Sequence, residues 1–345
     1  MHLTPDEDPR LSFTVAADAN GILPDRMIAA MAKAGLILPA YDFVESQIQP
    51  ASLDLRLGDI AYRVRASFLP GPGATVAERI DELKLHEFSL ADGAVLETNC
   101  VYIVPLLESL ALPPEIVAAA NPKSSTGRLD VFTRVIADGT RRFDMIGAGY
   151  HGPLYAEISP KTFPVLVSEG SRLSQVRFRT GDAILNIDEL EALHATERLV
   201  DLDDADLTGG VAVSVDLSGE KANGFVGYRA KRHTGVVDVD RRSGYAVEDF
   251  WEPISARPDG SLILDPGEFY ILGRVGIARI DEAGVLALEP RLALLGAVVD
   301  VALGQEQRLR RLAILRAQGA GMDQSGFGTV LRGGRRGLRH RTSSA

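Results

Sequence analysis

Residues 121–129 carry the densest group of side chains that could bind an anion. The run reads Asn-Pro-Lys-Ser-Ser-Thr-Gly-Arg-Leu. Hydroxyl and backbone N–H groups in such a turn donate hydrogen bonds to phosphate oxygens, and an arginine adds a fork of charged donors. A hydroxyl pair in a loop more often caps the turn only. The run therefore predicts either a phosphate-binding turn, with Lys123, Ser124, Ser125 and Arg128 as donors, or an ordinary capped turn.

Residues 154–158, Leu-Tyr-Ala-Glu-Ile, place a carboxylate inside an apolar strand. Because side chains alternate along a strand, Tyr155 and Glu157 face one way and the three apolar residues face the other. A strand glutamate commonly points to solvent. If Glu157 instead lines a pocket, it can position a water and accept its proton, which commonly gives a rate factor of about 10²–10⁴.

A third block, residues 49–58, reads Gln-Pro-Ala-Ser-Leu-Asp-Leu-Arg-Leu-Gly and precedes the other two. In this order the three blocks resemble the dCTP deaminase branch of the dUTPase-like superfamily, over residues 22–180. The resemblance implies hydrolytic deamination of dCTP to dUTP and ammonia. It also implies a homo-oligomer, expected to be trimer-based with sites at subunit contacts, and dTTP as a possible feedback ligand.

The resemblance also implies roles for individual residues. Glu157 matches the glutamate that activates the water attacking C4 of cytosine. Ser124 and Arg128 match the residues that help to hold substrate and water. The other matched positions are the backbone carbonyl of Ala137, which would orient the water, and Ser125 and Gln175, which would lie near the triphosphate. Independently of the resemblance, Lys123 and Arg128 are expected to supply the positive charge that a nucleotide site needs in an acidic chain.

Two other functions stay open at this stage. Related dUTP pyrophosphatases use an aspartate in a Gly-x-x-Asp block, but the nearest acid here, Asp144, is out of register by three residues. This disfavours a dUTP pyrophosphatase or a bifunctional enzyme without removing either. A non-catalytic nucleotide-binding regulator is the alternative from outside the enzymes.

Composition limits the metal chemistry. The single cysteine, Cys100, excludes an internal disulfide and a multi-cysteine zinc site. The His-x-Glu and Pro-Cys-x-x-Cys motifs of the zinc nucleobase deaminases are missing from the sequence. We therefore expect deamination without zinc and no protein metal site, with Mg²⁺ bound to the triphosphate.

Charge and hydropathy bear on the partners. Residues 304–345 hold nine Arg, one Glu and one Asp, a net charge of +7, so the rest of the chain carries −10 − 7 = −17. An acidic body binds nucleic acid poorly, and we expect no specific nucleic-acid partner. No apolar stretch reaches the roughly 20 residues that span a membrane. We expect no membrane partner and a cytoplasmic protein.

The periodicity predicts a mainly β fold with a few short helices. A helix is predicted from Asp25, ending at Gly35, and a second one near Asp188, which forms a capping-box pair with Glu191. Short strands separated by turns are typical of a β-barrel or jelly roll. They are predicted at 52–57, 61–68, 94–96, 100–106, 131–136, 154–158, 165–167 and 176–178.

The strand motifs then recur. Ser52-Leu53-Asp54-Leu55 returns as Ser214-Val215-Asp216-Leu217, Tyr62-Arg63 as Tyr228-Arg229, and Tyr102-Ile103-Val104 as Tyr270-Ile271-Leu272, at offsets of 162, 166 and 168. The recurrence predicts two tandem dUTPase-like barrels. Residues 290–293, opposite 122–125, lack both serines, so the second copy is predicted to be degenerate. The predicted divisions are a loose arm (1–20), a catalytic domain (21–187), a helical and acidic connector (188–210), a degenerate second domain (211–303) and a basic tail (304–345).

Overall fold

The computed structural model describes residues 13, 20–182, 184–197, 199, 207, 214–241 and 243–275, and the backbone of three short strands at 298–299, 312–316 and 329–332. The chain divides into two compact units. The first contains residues 1–183 and 235–243, and the second contains residues 184–234 and 244–345. Three predicted segments lie outside the described residues: nearly all of the 1–20 arm, all of the acidic run 201–206 and all of the 290–293 motif.

The first unit is built from antiparallel strands, which confirms the predicted mainly β fold class. Its strands before residue 183 are β1 (Gly21–Ile22), β2 (Ile37–Pro39), β3 (Ile48–Gln49), β4 (Ser52–Leu55), β5 (Ile60–Val64), β6 (Lys84–Ser89), β7 (Ala94–Leu96), β8 (Val101–Ala111), β9 (Ile116–Pro122), β10 (Val131–Ala137), β11 (Met145–Ile146), β12 (His151–Pro160), β13 (Val165–Val167) and β14 (Ser174–Thr180). Its helices are α1 (Asp25–Lys33), α2 (Val76–Leu83) and α3 (Ser124–Arg128).

This unit contains two six-stranded sheets and a three-stranded one. The first sheet has the order β11-β9-β14-β4-β3, with β1 on β14, and the second has the order β10-β12-β8-β5-β6, with β2 on β8. The main core contains side chains from both sheets, among them Leu55, Val135, Leu154 and Phe178, all of which are buried. The predicted helix α1 closes one side of this core and is followed by Gly35 at φ +71°. The sheet faces that meet at this core are therefore apolar.

The opposite face of the second sheet carries Tyr155 and Glu157. Beside them, α2 contributes Val76 and Ile80 to a smaller cluster that contains Ile103, Ile136 and Tyr155. The helix begins with a capping box, in which Thr75 and Glu78 exchange side-chain and backbone hydrogen bonds. Tyr155 packs in this cluster, and both Tyr155 and Glu157 are buried instead of lying in solvent.

The second unit is also mainly β. Its helices are α4 (Ile187–Glu197) and α5 (Val247–Phe250), and a 3-10 turn covers Glu220–Ala222. The remaining strands of the chain are β15 (Ser214–Val215), β16 (Phe225–Ala230), β17 (Val237–Asp238), β18 (Trp251–Ser255), β19 (Ser261–Leu264), β20 (Phe269–Val275), β21 (Val298–Val299), β22 (Leu312–Arg316) and β23 (Thr329–Arg332). A six-stranded sheet has the order β18-β16-β20-β22-β21, with β15 on β20, and β19 pairs with β23.

One of these strands, β17, belongs to the first unit. It pairs in parallel with β13, where Val165 lies opposite Val237, and the sheet order is β17-β13-β7. The hydroxyl of Ser171 also donates a hydrogen bond to the carboxylate of Asp240. Residues 235–243 thus cover an edge of the first unit.

The predicted capping pair Asp188 and Glu191 is wrong. Helix α4 begins at Ile187, and the reciprocal bonds join Asn186 and Glu189: the Glu189 N–H donates to Asn186 Oδ1 at 3.0 Å, and the Asn186 N–H donates to Glu189 Oε2 at 2.8 Å. Asparagine is as favourable as aspartate at the N-cap, and Asn186 stands two residues before the predicted Asp188. Among the described residues, no helix combines the length and apolar character needed to cross a membrane.

Candidate active site

Glu157 lies in the middle of β12 and is 1% exposed. The interpretation of this glutamate as a solvent-facing strand residue is therefore wrong. Its strand neighbours are Arg134 on β10 and Ile103 on β8, directly opposite in register. Burying a carboxylate is costly unless it is paired, so the partners of Glu157 decide what it can do.

Arg134 is the charged partner of Glu157. Both Nε, at 3.1 Å, and Nη2, at 2.5 Å, donate to the same carboxylate oxygen, Oε1. Arg134 is not among the site residues predicted from the sequence. A signal was available, because the predicted strands 131–136 and 154–158 each hold a single charged residue among uncharged ones.

The second oxygen of Glu157 has no hydrogen-bond partner. Within the described part of the chain, four buried side-chain atoms share this condition: Asp54 Oδ1, Glu157 Oε2, Ser159 Oγ and His194 Nδ1. Glu157 and Ser159 are two residues apart on β12, so both point to the same face of the sheet. Buried polar atoms are nearly always paired, and an unpaired one indicates a place for a water or a ligand. Glu157 Oε2 is therefore available to a bound water.

The predicted phosphate-binding turn forms the short helix α3. Lys123 precedes it, Ser124 and Ser125 begin it and Arg128 ends it. The turn is fixed against the start of β14, because the Lys123 N–H and the Thr126 hydroxyl both donate to the carbonyl of Leu173, at 2.9 and 2.8 Å. Ser125 is exposed, while Ser124 and Arg128 are half-buried. These two serines can therefore reach a ligand at the surface of the turn.

Lys123 and Gln175 lie in a polar cluster around Asp54. The Asp54 carboxylate, 1% exposed, forms ion pairs with Lys123 and, at 3.5 Å, with Arg172. Gln175 is directly opposite Asp54 in register, and its Oε1 accepts a hydrogen bond from the Ser52 hydroxyl at 3.0 Å. Arg172 was not predicted from the sequence. The cluster gathers two cations and an amide next to α3.

Ala137 ends β10, and its carbonyl accepts a 3.4 Å hydrogen bond from the Thr140 N–H. Tyr150 holds the following residue: its hydroxyl accepts a bond from the Asp138 N–H at 3.1 Å and donates to the Pro153 carbonyl at 2.6 Å. Burial raises the pKa of Tyr150 to about 12, so this phenol stays protonated. A carbonyl oxygen has two lone pairs, so that of Ala137 can still accept from a water.

The predicted residues thus fall into two groups. Lys123, Gln175 and helix α3 are associated with the first sheet, through β9 and β14. Glu157 and Ala137 lie on strands of the second sheet. Within the described residues there is no group of three or more His, Cys, Asp or Glu side chains that could hold a metal ion.

Comparison with known proteins gives consistent matches. Residues 19–182 match the family model described as "2'-deoxycytidine 5'-triphosphate deaminase (DCD) N-terminal domain", and residues 186–298 match that of the C-terminal domain. A crystal structure of 2'-deoxycytidine 5'-triphosphate deaminase from Agrobacterium tumefaciens is 56% identical, with a TM-score of 0.72, and the match covers 76% of this chain and 78% of that one.

Two curated archaeal relatives match the first part of the chain. A dCTP deaminase from Natronomonas pharaonis is 32% identical over 148 residues, which is 41% of this chain and 71% of the relative. A "dCTP deaminase, dUMP-forming" from Methanothermobacter thermautotrophicus is 32% identical over 162 residues, which is 46% of this chain and 79% of the relative.

Proposed function

Since the chain belongs to the 2'-deoxycytidine 5'-triphosphate deaminase family, we propose that it hydrolyses dCTP to dUTP and ammonia at a site containing Glu157. The observation that supports this site is the buried carboxylate with one paired and one unpaired oxygen. A carboxylate in this condition can receive a proton from a water held at Oε2.

The reaction needs one group that moves two protons. Oε2 of Glu157 takes a proton from the attacking water as its oxygen bonds to C4, and returns it to N3 of the ring. A second proton then passes from the C4 hydroxyl to the amino group, the C4–N bond breaks and ammonia leaves. Ser124, Arg128 and the Ala137 carbonyl serve in this proposal as fixed dipoles and charge around the reacting atoms.

The cluster around Asp54 is the proposed phosphate side of the site. Lys123, Arg172 and the α3 hydroxyls supply positive charge and hydrogen-bond donors there, in a chain whose net charge is −10. A Mg²⁺ ion carried by the triphosphate fits this arrangement, because it is held mainly by phosphate oxygens and water, and Asp54 Oδ1 is one unpaired carboxylate oxygen nearby. Such an ion neutralises phosphate charge.

The family resemblance implies that sites lie at subunit contacts. In a homo-oligomer, the α3 side of one copy can meet the Glu157 side of another, as the family resemblance implies. We therefore include a trimer-based homo-oligomer in the proposal, with dTTP as a competing regulatory ligand.

The final product could be dUTP or, if a second hydrolysis follows deamination, dUMP. Several relatives are named as dUMP-forming, so a second step that releases pyrophosphate is the alternative. The carboxylate of Asp144 accepts a 2.7 Å hydrogen bond from the Val135 N–H and so helps to fix the end of the 138–144 loop against β10. This structural role argues against its use as the base of a pyrophosphatase.

The product assay tests these proposals together. The protein is incubated with dCTP and Mg²⁺, and ammonia, dUTP, dUMP and pyrophosphate are resolved over time. Ammonia with dUTP supports the deaminase. Ammonia with dUMP and pyrophosphate supports the bifunctional enzyme, and pyrophosphate from added dUTP alone supports a pyrophosphatase. Binding of dCTP without any product would favour a regulator and would contradict the proposal.

A further inference from the structure

Arg134 is held more firmly than its ion pair with Glu157 requires. Its guanidinium carbon lies 3.4 Å from the ring centroid of Phe143 and 4.7 Å from that of Phe132. Its Nη2 also donates to the Ser67 hydroxyl at 2.9 Å. A planar guanidinium between two aromatic rings loses little further freedom when it binds a carboxylate. The arginine is thus preorganised to bind one particular oxygen.

A second arginine–glutamate pair has the same hydrogen-bond geometry as Arg134 and Glu157 but differs in its exposure to solvent. Arg229 and Glu252 are also opposite in register and 23 residues apart, and Arg229 also donates from Nε and Nη2 to one oxygen, at 3.2 and 2.6 Å. The Glu252 side chain is 46% exposed, however, so water can reach its other oxygen. The Glu157 side chain is 2% exposed, and its other oxygen is buried without a partner.

We propose that Arg134 is a positioning residue for the deamination reaction: it ties Oε1 of Glu157 in place so that Oε2 is the single oxygen presented to the reacting water. This inference rests on the proposed function of Glu157 and adds a residue to it. A buried carboxylate that served only for stability would be expected to satisfy both oxygens, because an unpaired one is costly. Because Arg134 and its two aromatic neighbours hold Oε1, the only unpaired oxygen of Glu157 is Oε2.

The inference predicts a loss in turnover and not in binding. Arg134→Gln removes the charge and the fork, so Glu157 can rotate and share both oxygens with its neighbours. We expect kcat for dCTP to fall on the order of 10–100-fold, since small misplacements of a reacting group have effects of this size. KM should change by less than about threefold, because Arg134 is associated with Glu157 and not with the proposed phosphate side. Arg134→Lys should recover part of kcat.

Chemical rescue distinguishes a positioning role of Arg134 from a role in fold stability alone. Guanidinium at a non-denaturing, millimolar concentration should raise kcat of Arg134→Ala and leave the wild type unchanged. The matched control is Arg229→Gln, which breaks the equivalent exposed pair and should keep the wild-type kcat and KM. If Arg134→Gln and Arg134→Ala do not fold, Ser67→Ala removes only the anchor of Nη2 and should still lower kcat, about two- to fivefold.

The outcomes are distinct. A wild-type protein that releases no ammonia from dCTP contradicts the proposed function itself. An active wild type with unchanged kcat in Arg134→Gln overturns the inference alone. The inference also fails if kcat falls without any rescue by guanidinium or by lysine, or, when only Ser67→Ala can be measured, if its kcat equals that of the wild type.

Discussion

Tyr102 and Tyr270 make the same hydrogen bond in different units of the chain. Each hydroxyl accepts a bond of 3.1 Å from the backbone N–H five residues earlier, at Glu97 for Tyr102 and at Asp265 for Tyr270. Burial raises the pKa of both phenols above the ordinary value. A shared contact of this kind, at the same spacing, supports the predicted duplication more strongly than the residue match alone.

The strand registers also agree with the predicted duplication. Tyr62 lies opposite Ile103 and Arg63 opposite Tyr102, while Tyr228 lies opposite Ile271 and Arg229 opposite Tyr270. Two pairs of strands therefore repeat both their residues and their alignment, at offsets of 166 and 168. We infer that β5 and β8 correspond to β16 and β20.

The first prediction concerns Glu157 itself. Glu157→Gln keeps the size of the side chain and its bond to Arg134 but removes the base. Turnover of dCTP should fall by a factor of at least about 10², with nucleotide binding nearly unchanged. Steady-state kinetics and calorimetric binding of dCTP measure the two effects. Glu252→Gln is the control and should behave as wild type; near-normal turnover in Glu157→Gln would remove this glutamate from the mechanism.

Arg128 and Ser125 should differ in what they affect. Arg128→Ala loses a fixed charged donor, so both binding and turnover should suffer, and kcat/KM should fall by an amount equivalent to about 2–4 kcal/mol. Ser125→Ala should mainly raise KM, because its exposed hydroxyl is proposed to meet the triphosphate. Kinetics with dCTP and with deoxycytidine separate the roles. An equal Ser125→Ala effect on both substrates would show that Ser125 does not bind phosphate.

Mixed oligomers test whether the site is shared. Glu157→Gln and Arg128→Ala chains, each nearly inactive, are co-expressed and purified together. If each site takes Glu157 from one copy and Arg128 from another, about a quarter of the sites regain both native residues. A doubly substituted chain mixed with Glu157→Gln is the control and should stay inactive. No recovered activity in the first mixture would mean that each copy forms its own complete site.

The pKa of Tyr150 predicts how stability changes at alkaline pH. The folded protein keeps this phenol protonated to about pH 12, while the unfolded chain loses the proton near pH 10. The raised pKa therefore stabilises the fold fully below pH 10, and this stabilisation is lost as the pH rises toward 12. Urea unfolding across this range should show a falling free energy of unfolding.

In Tyr150→Phe, the free energy of unfolding should decrease less steeply over this alkaline range. The pKa values of Tyr62 and Tyr155 are also raised by burial, so part of the slope should remain. An ultraviolet titration of tyrosine ionisation provides an independent reading. An identical slope in Tyr150→Phe and wild type would show that this phenol is not the group responsible.

The buried ion pair of Arg56 and Glu108 gives a stability prediction. Glu108 is 0% exposed, and its Oε1 accepts bonds from Arg56 Nε at 2.7 Å and Gln47 Nε2 at 2.8 Å. Glu108→Ala leaves the Arg56 charge buried without its partner and should cost about 3–5 kcal/mol of unfolding free energy. Chemical denaturation measures it, with the exposed pair of Arg79 and Glu82 as the control, where Glu82→Ala should change little.

Periodicity allowed the strands of the site to be predicted. The expected segments 131–136 and 154–158 lie within β10 and β12, because alternation along a half-buried strand is visible without any partner. Helix α2 and strands β6 and β9 were among the elements missed. Five of the six side chains of β6 are exposed, so this strand is specified by pairing with β5 and has no apolar alternation of its own.

The partners of the predicted residues could not be derived in the same way. Asp54 and Arg56 both form ion pairs, but their partners, Lys123 and Glu108, lie 69 and 52 residues away in the sequence. Local patterns show that a charged residue will be buried and not which strand lies beside it. The pairing of Arg134 with Glu157 needed the register of β10 on β12, which only the fold supplies.

The parallel strand β17 bears on whether the first unit could be produced without the rest of the chain. A chain ending at residue 183 would retain all the proposed catalytic groups but would leave β13 with one strand neighbour, β7, instead of two. It would also lose the Asp240 partner of Ser171, next to Arg172 of the phosphate-side cluster. An uncovered strand edge invites pairing between molecules. Residues 235–243 therefore supply both the second strand neighbour of β13 and the acceptor for the Ser171 hydroxyl, which a chain ending at residue 183 would lack.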